Sequence, residues 1–118
     1  MRRVAPTEGR LELPLDRFPE LTQRDGALRF QVAGRDEPID VLAMGAGAYV
    51  ALSPICTHLG CTVEVQGSVL VCPCHGSTFE RSGRVVRGPA EQPLARYEVS
   101  LRADGTLIIV LDRPSRDA

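Results

Sequence analysis

Cys56-Thr57-His58-Leu59-Gly60-Cys61 and Cys72-Pro73-Cys74-His75-Gly76-Ser77 hold all four cysteines and both histidines of a 118-residue chain. Thiolates and imidazoles gathered into two short stretches are the donors of a transition-metal site, because a tight turn aims two side chains at one point. A metal site is therefore the first expectation. A zinc ribbon also uses two knuckles, but it takes four ligands at Cys-x-x-Cys or His-x-x-x-His spacing. Here six candidates stand as Cys-x-His-x-x-Cys and Cys-x-Cys-His. Four ligands and one disulfide would account for six, and a zinc site or purely disulfide-stapled loops are the alternatives.

Outward from these boxes the chain reads as strands. Residues 39–44 and 49–52 are apolar runs around Gly45-Ala46-Gly47, a hairpin whose second strand leads into the first box. Residues 62–66 and 68–71 flank Gly67 and give a second hairpin, with Cys61 at one end and Cys72 at the other, which brings the boxes face to face. After the second box, Arg81-Ser82-Gly83 is a turn, and residues 87–93 hold too much proline and glycine for regular structure. Farther out, Leu11, Leu13 and Leu15 alternate, as do Leu28, Phe30 and Val32, and again Tyr97, Val99 and Leu101. Asp104-Gly105 turns the chain into a closing strand at 107–111. Residues 16–24, interrupted by Pro19, read as a loop with one helical turn, residues 1–9 as a tail and 112–118 as a frayed end. About nine short strands with no helical periodicity predict an all-β, antiparallel sandwich or partly open barrel in one domain.

The two boxes, together with Gly76-Ser77, Ser82-Gly83-Arg84 and Gly88-Pro89-Ala90, resemble the Rieske iron–sulfur family. Carried over by position, the resemblance implies one [2Fe–2S] cluster, with Cys56 and Cys72 on one iron and His58 and His75 on the other. It implies a Cys61–Cys74 disulfide between the loops, and a cluster-binding subdomain at roughly residues 54–93 inserted between N- and C-terminal strands that form its base. The exposed edges of His58 and His75 would be the place where a quinol docks. Leu59, Gly88 and Pro89 resemble the apolar and proline-rich cover of the cluster, and Ser77 the serine that donates to a bridging sulfide. Phe79 stands where high-potential members have tyrosine, which implies a potential in the middle of the family's range.

The implied function is one-electron transfer in the iron–sulfur subunit of a quinol:cytochrome c oxidoreductase, with quinol and cytochrome b-type and c-type subunits as partners. An arsenite-oxidase-like small subunit and a stand-alone Rieske ferredoxin are the alternatives, and turnover is not expected of the isolated domain. A structural disulfide belongs to an oxidising compartment, so the expected location is the periplasm or the outer face of the cytoplasmic membrane.

Composition bounds the rest. The net charge of −1 argues against nucleic acid as a partner; lysine is absent, so all 14 basic residues are arginine, which reads as a compositional bias. Arg81, Arg84 and Arg87 read as a solvated rim or a docking patch. No apolar stretch reaches the ~18 residues of a membrane helix. Arg2-Arg3 is followed by Pro6, Glu8 and Arg10 rather than an apolar segment, so no export signal or anchor is expected in this stretch.

Overall fold

The computed structural model describes residues 1–57 and 60–115. The strands are β1 (Arg2–Val4), β2 (Arg10–Pro14), β3 (Ala27–Val32), β4 (Ile39–Gly45), β5 (Ala48–Leu52), β6 (Glu64–Gln66), β7 (Val69–Val71), β8 (Thr78–Glu80), β9 (Val85–Arg87), β10 (Arg96–Leu101) and β11 (Thr106–Ser115). Two 3-10 turns, Leu15–Arg17 and Pro19–Thr22, replace the single helical turn expected between β2 and β3. A seven-stranded sheet runs β1-β3-β4-β5-β10-β11-β2, and a four-stranded sheet runs β6-β7-β8-β9.

Alternation explains the outer strands of the large sheet. Leu11 and Leu13 of β2 are buried while the alternating Arg10 and Glu12 are exposed, and Leu107, Ile109 and Leu111 of β11 face the same core. The continuous apolar runs of β4 and β5 have a different cause. Val41 and Ala51 enter the core inside the large sheet, whereas Leu42, Val50 and Leu52 enter a second core that includes Cys56, Leu70, Cys72 and Phe79. A strand covered on both faces has no polar side to show, and so no period of two. These two strands are the wall on which the small sheet is mounted.

Besides β8 and β9, which the sequence reading did not assign, three places depart from it. Residues 2–4 form a strand, and it pairs with β3 in parallel, so the pattern is not wholly antiparallel. Residues 112–115 continue β11, whose Ser115 pairs with Arg96. Arg81 is neither rim nor patch: it is 8% exposed and donates to the carbonyls of Gly67, Gly26 and Ala43. Arg84 and Arg87 are exposed as expected.

Two polar ties seat the small sheet on the large one. Arg81 is one. The other is Arg29, whose Nε and Nη2 donate to Asp40 at 2.6 and 2.9 Å while Nη2 also donates to the Val63 carbonyl at 2.8 Å, just beyond the first box. The hydrogen bond to Asp40 raises the Arg29 pKa against the opposing effect of burial, and the charges of Asp40 and Glu64 add to it.

Gly26 makes the closest approach in the base. A Cβ there would lie 2.1 Å from the Glu20 carbonyl oxygen and 3.1 Å from that of Gln23, both backbone atoms that cannot swing away. Gly26→Ala is expected to destabilise the protein by about 2 kcal/mol or more, the scale of overpacking. A urea midpoint unchanged from wild type would show that the turn relaxes instead.

Candidate metal centre

The two boxes fold into the same loop twice. In the first, the Cys56 N–H donates to the Cys61 carbonyl at 2.6 Å and the Gly60 N–H to the Cys56 carbonyl at 3.0 Å. In the second, the Cys72 N–H donates to the Ser77 carbonyl at 2.8 Å and the Gly76 N–H to the Cys72 carbonyl at 2.9 Å. The pairs that close the loops also correspond, Ile55 with Thr62 and Val71 with Thr78. Each loop turns back through a left-handed glycine, Gly60 at φ 75° and Gly76 at φ 79°, a conformation that costs other residues about 1 kcal/mol or more. The shared signal in the sequence is Cys-x-x-x-Gly, which the metal-ligand spacing alone does not reveal.

Within this frame the cysteines divide. Cys61 and Cys74 form a disulfide that joins the loops, as the resemblance implies. Cys56 and Cys72 are 2% and 1% exposed, in one apolar cluster with Phe79, Leu70 and Ala90. The sulfurs of Cys61, Cys72 and Cys74 lie within 4.8 Å of one another. That trio is not itself a metal site, since a disulfide offers no thiolate; it shows that the bridge passes beside the Cys72 sulfur. His75 is exposed, and His58 and Leu59 lie outside the described residues. One edge of the arrangement is thus buried sulfur and another is open to solvent.

Residues 88–95 cover the loops. The Gly88–Pro89 peptide is cis and both residues are exposed, so the contacts are made by their neighbours. The Ala90 N–H donates to Ser77 Oγ at 3.0 Å, and Thr57 Oγ1 donates to the Gln92 carbonyl at 2.7 Å, one tie to each knuckle. Ser77 is wholly buried, and accepting from Ala90 leaves its hydroxyl proton to be given elsewhere. Thr57 and Gln92 escaped the sequence reading, because a threonine and a backbone carbonyl carry no chemical signature until the fold brings them together. Phe79, opposite Leu70 in the small sheet, is also wholly buried behind the second loop.

Two buried thiols, an exposed imidazole and a buried hydroxyl with a proton to donate fit an iron–sulfur cluster: soft donors face inward, and the reduced, more negative state has a hydrogen-bond donor available.

Comparison with known proteins agrees. The Rieske [2Fe-2S] domain model matches residues 14–98. The cytochrome b6-f complex iron-sulfur subunit of Chlorobaculum tepidum is 37% identical over 76 residues, which are 63% of this chain and 41% of that one. A cyanelle b6-f iron-sulfur subunit of Cyanophora paradoxa is 50% identical over 58 residues, 48% of this chain and 24% of that one. The chain therefore spans less than half the length of these two relatives. Among solved structures, the plasma membrane Rieske protein PetC3 of Synechocystis PCC 6803 superposes with a TM-score of 0.63 at 32% identity, covering 71% of this chain and 85% of that one. The soluble domain of Rieske protein II from Sulfolobus acidocaldarius shares the fold, with a TM-score of 0.67 at 19% identity over 94% of this chain and 87% of that one. The paired knuckles and the match across most of the sequence have one reading: the chain belongs to the Rieske [2Fe–2S] domain family, whose members bind a [2Fe–2S] cluster.

Proposed function

We propose that Cys56 and Cys72 hold one iron and His58 and His75 the other, and that the chain is the electron-transfer domain of the iron–sulfur subunit of a quinol-oxidising, cytochrome bc-type complex. The observation that carries this reading is the Cys61–Cys74 bridge between the knuckles. It takes two cysteines out of the donor set and leaves the buried pair as sulfur ligands. When bound, a Rieske cluster supplies a one-electron couple at roughly −150 to +300 mV. The chain's own residues do the rest. Phe79 and Leu70 exclude water behind the second loop, Ser77 presents its hydroxyl, and His75 stands exposed where a quinol hydroxyl could donate or accept. His58 has the matching role in the first loop.

In the same reading residues 54–93 are the cluster-binding unit and the N- and C-terminal strands its base. Quinol and cytochrome b-type and c-type subunits are the partners. A persistent disulfide supports the periplasm or the outer face of the cytoplasmic membrane as the location. Among the described residues no helix is long and apolar enough to cross a membrane.

Potentiometry of the cluster-loaded domain, followed by mixing with a hydroquinone and a c-type cytochrome, tests the reading. A mid-range potential with reduction by the hydroquinone and reoxidation by the cytochrome is expected. A midpoint near the bottom of the range, with neither reaction, would favour a stand-alone ferredoxin.

Two substitutions refine the test. Ser77→Ala should lower the potential, because the reduced cluster loses a donor. Phe79→Tyr should raise it if the added hydroxyl reaches a ligand sulfur. Tens of millivolts are expected in each case, against ~59 mV for a tenfold change in a one-electron equilibrium. Equal potentials in all three proteins would remove the hydroxyl argument.

A further inference from the structure

Arg81 is the buried basic residue of the described structure, and its hydrogen bonds go to backbone carbonyls rather than to an acid. Its Nη1 donates to the Gly67 carbonyl at 2.8 Å, and its Nη2 to those of Gly26 at 2.9 Å and Ala43 at 3.2 Å. Its Nε is buried with no hydrogen-bond partner among the described residues. The four ion pairs of the described residues all lie elsewhere. Carbonyl dipoles solvate a guanidinium but do not cancel its charge, so a full positive charge is held in the interior.

Along β7 and β8 the buried pair Leu70 and Phe79 lies between that charge and the second knuckle. Val71 pairs with Thr78 and Val69 with Glu80, so Arg81 stands four positions along β8 and its turn from Ser77. At ~3.3 Å per residue the backbone of Arg81 stands on the order of 13 Å from the Cys72 level, and its guanidinium, bonded to Gly67, is no closer. Leu70, Phe79 and Cys72 lie in the same buried cluster, each 1% exposed or less. These side chains keep bulk water and salt, which screen surface charges within about a Debye length, out of the space between the strands, while Arg81 lines a cavity on its other side. Reduction adds one negative charge to a cluster at the knuckles, so a fixed positive charge favours the reduced state.

We propose that Arg81 sets the reduction potential, raising it through its charge, in addition to fastening the small sheet. The proposal rests on the cluster being held by the knuckles. It makes Arg81 a positioning residue whose field reaches the cluster, rather than a group that touches it. At this separation and interior screening the Coulomb attraction corresponds to about a tenfold change in the reduction equilibrium, or ~59 mV for one electron.

The test compares Arg81→Gln, which keeps a donor and loses the charge, with Arg81→Lys, which keeps the charge and loses the fork. Both should lower the unfolding midpoint, since carbonyls of Gly67, Gly26 and Ala43 lose partners. Only Arg81→Gln should shift the potential of the cluster-loaded domain, downward by about tenfold in the reduction equilibrium, while Arg81→Lys stays near wild type. An Arg81→Gln potential equal to wild type overturns the proposal. So does an Arg81→Lys potential that falls as far, because the shift would then follow the lost fork.

Should neither variant bind a cluster, Met44 carries the test. It is 41% exposed and lines, with Arg81, a cavity of about 500 Å³ at the end of the β4–β5 hairpin remote from the knuckles. Met44→Glu should lower the potential relative to Met44→Gln by pairing the guanidinium, and equal potentials overturn the proposal. Iron content and the absorption spectrum of the wild type keep the two readings apart. A wild type without a cluster defeats the ligand assignment, whereas a normal cluster indifferent to these substitutions defeats only the role of Arg81.

Discussion

Cys72→Ser is expected to yield a folded protein with no Rieske cluster. Cys72 is 1% exposed, and it is held by a loop whose backbone bonds, Cys72 N–H to Ser77 and Gly76 N–H to Cys72, do not involve the side chain. The hydroxyl that replaces it is smaller and harder, a poor ligand for iron in a sulfur site. Cys56→Ser should behave alike, because its loop repeats the construction. Cys61→Ser and Cys74→Ser should differ in kind. They break the bridge and release the knuckles from each other, leaving a cluster that forms in part and is lost readily. A loop of this length stabilises by roughly 3 kcal/mol when cross-linked. Iron and sulfide analysis with electron paramagnetic resonance separates the two classes. A full, spectroscopically normal cluster in Cys72→Ser would move the ligand to Cys74 and undo the assignment.

Arg29→Ala carries the largest expected cost to stability, about 3 kcal/mol. Asp40 is 2% exposed and its carboxylate is gripped through both oxygens by Arg29, so removing the arginine strands a charge inside the protein. Losing one member of a buried pair costs about 3–5 kcal/mol, and the low end applies because the Arg29 side chain is 30% exposed and water can replace part of it. The same change frees the Val63 carbonyl. Because the Val63 N–H donates to Pro54 on the other side of the first box, the loop should loosen as the base weakens. Asp40→Asn, which keeps an acceptor without the charge, should cost less. Urea titration decides it: a loss under 1 kcal/mol for Arg29→Ala would mean that the pair is solvated and the tie dispensable.

How much was legible in the sequence follows from where each element draws its stability. The knuckles were plain because cysteine and histidine are chemically distinctive and occur nowhere else in the chain. β2, β3, β10 and β11 were plain because one face of each is buried, and alternation records it. β1 was not, since a three-residue strand held by parallel backbone pairing needs no side-chain pattern. β8 and β9 were missed for a similar reason: Thr78-Phe79-Glu80 and Val85-Val86-Arg87 are too short to show a period. Arg81, beside Glu80, Ser82 and Gly83, looks like part of a solvated turn. Its burial is decided by carbonyls at Gly26 and Ala43, which local sequence does not announce. The disulfide was legible through family resemblance, whereas the clasps from Thr57 to Gln92 and from Ala90 to Ser77 required the fold.

The chain departs from the large sheet after Leu52 and rejoins it at Arg96, and those two residues are paired neighbours, with the Ser53 N–H donating to the Ala95 carbonyl at 2.8 Å. Bringing together the ends of so long an excursion costs roughly 3 kcal/mol of chain entropy beyond a constant, and the β5–β10 ladder, rather than any group on the knuckles, meets that cost. The excursion is therefore a cassette with its ends already joined. A different segment could be spliced between Leu52 and Arg96, down to a tight turn, provided that it set an apolar face against Leu42, Val50 and Leu52. The same doorway lets the redox element be exchanged while the scaffold beneath it stays as it is.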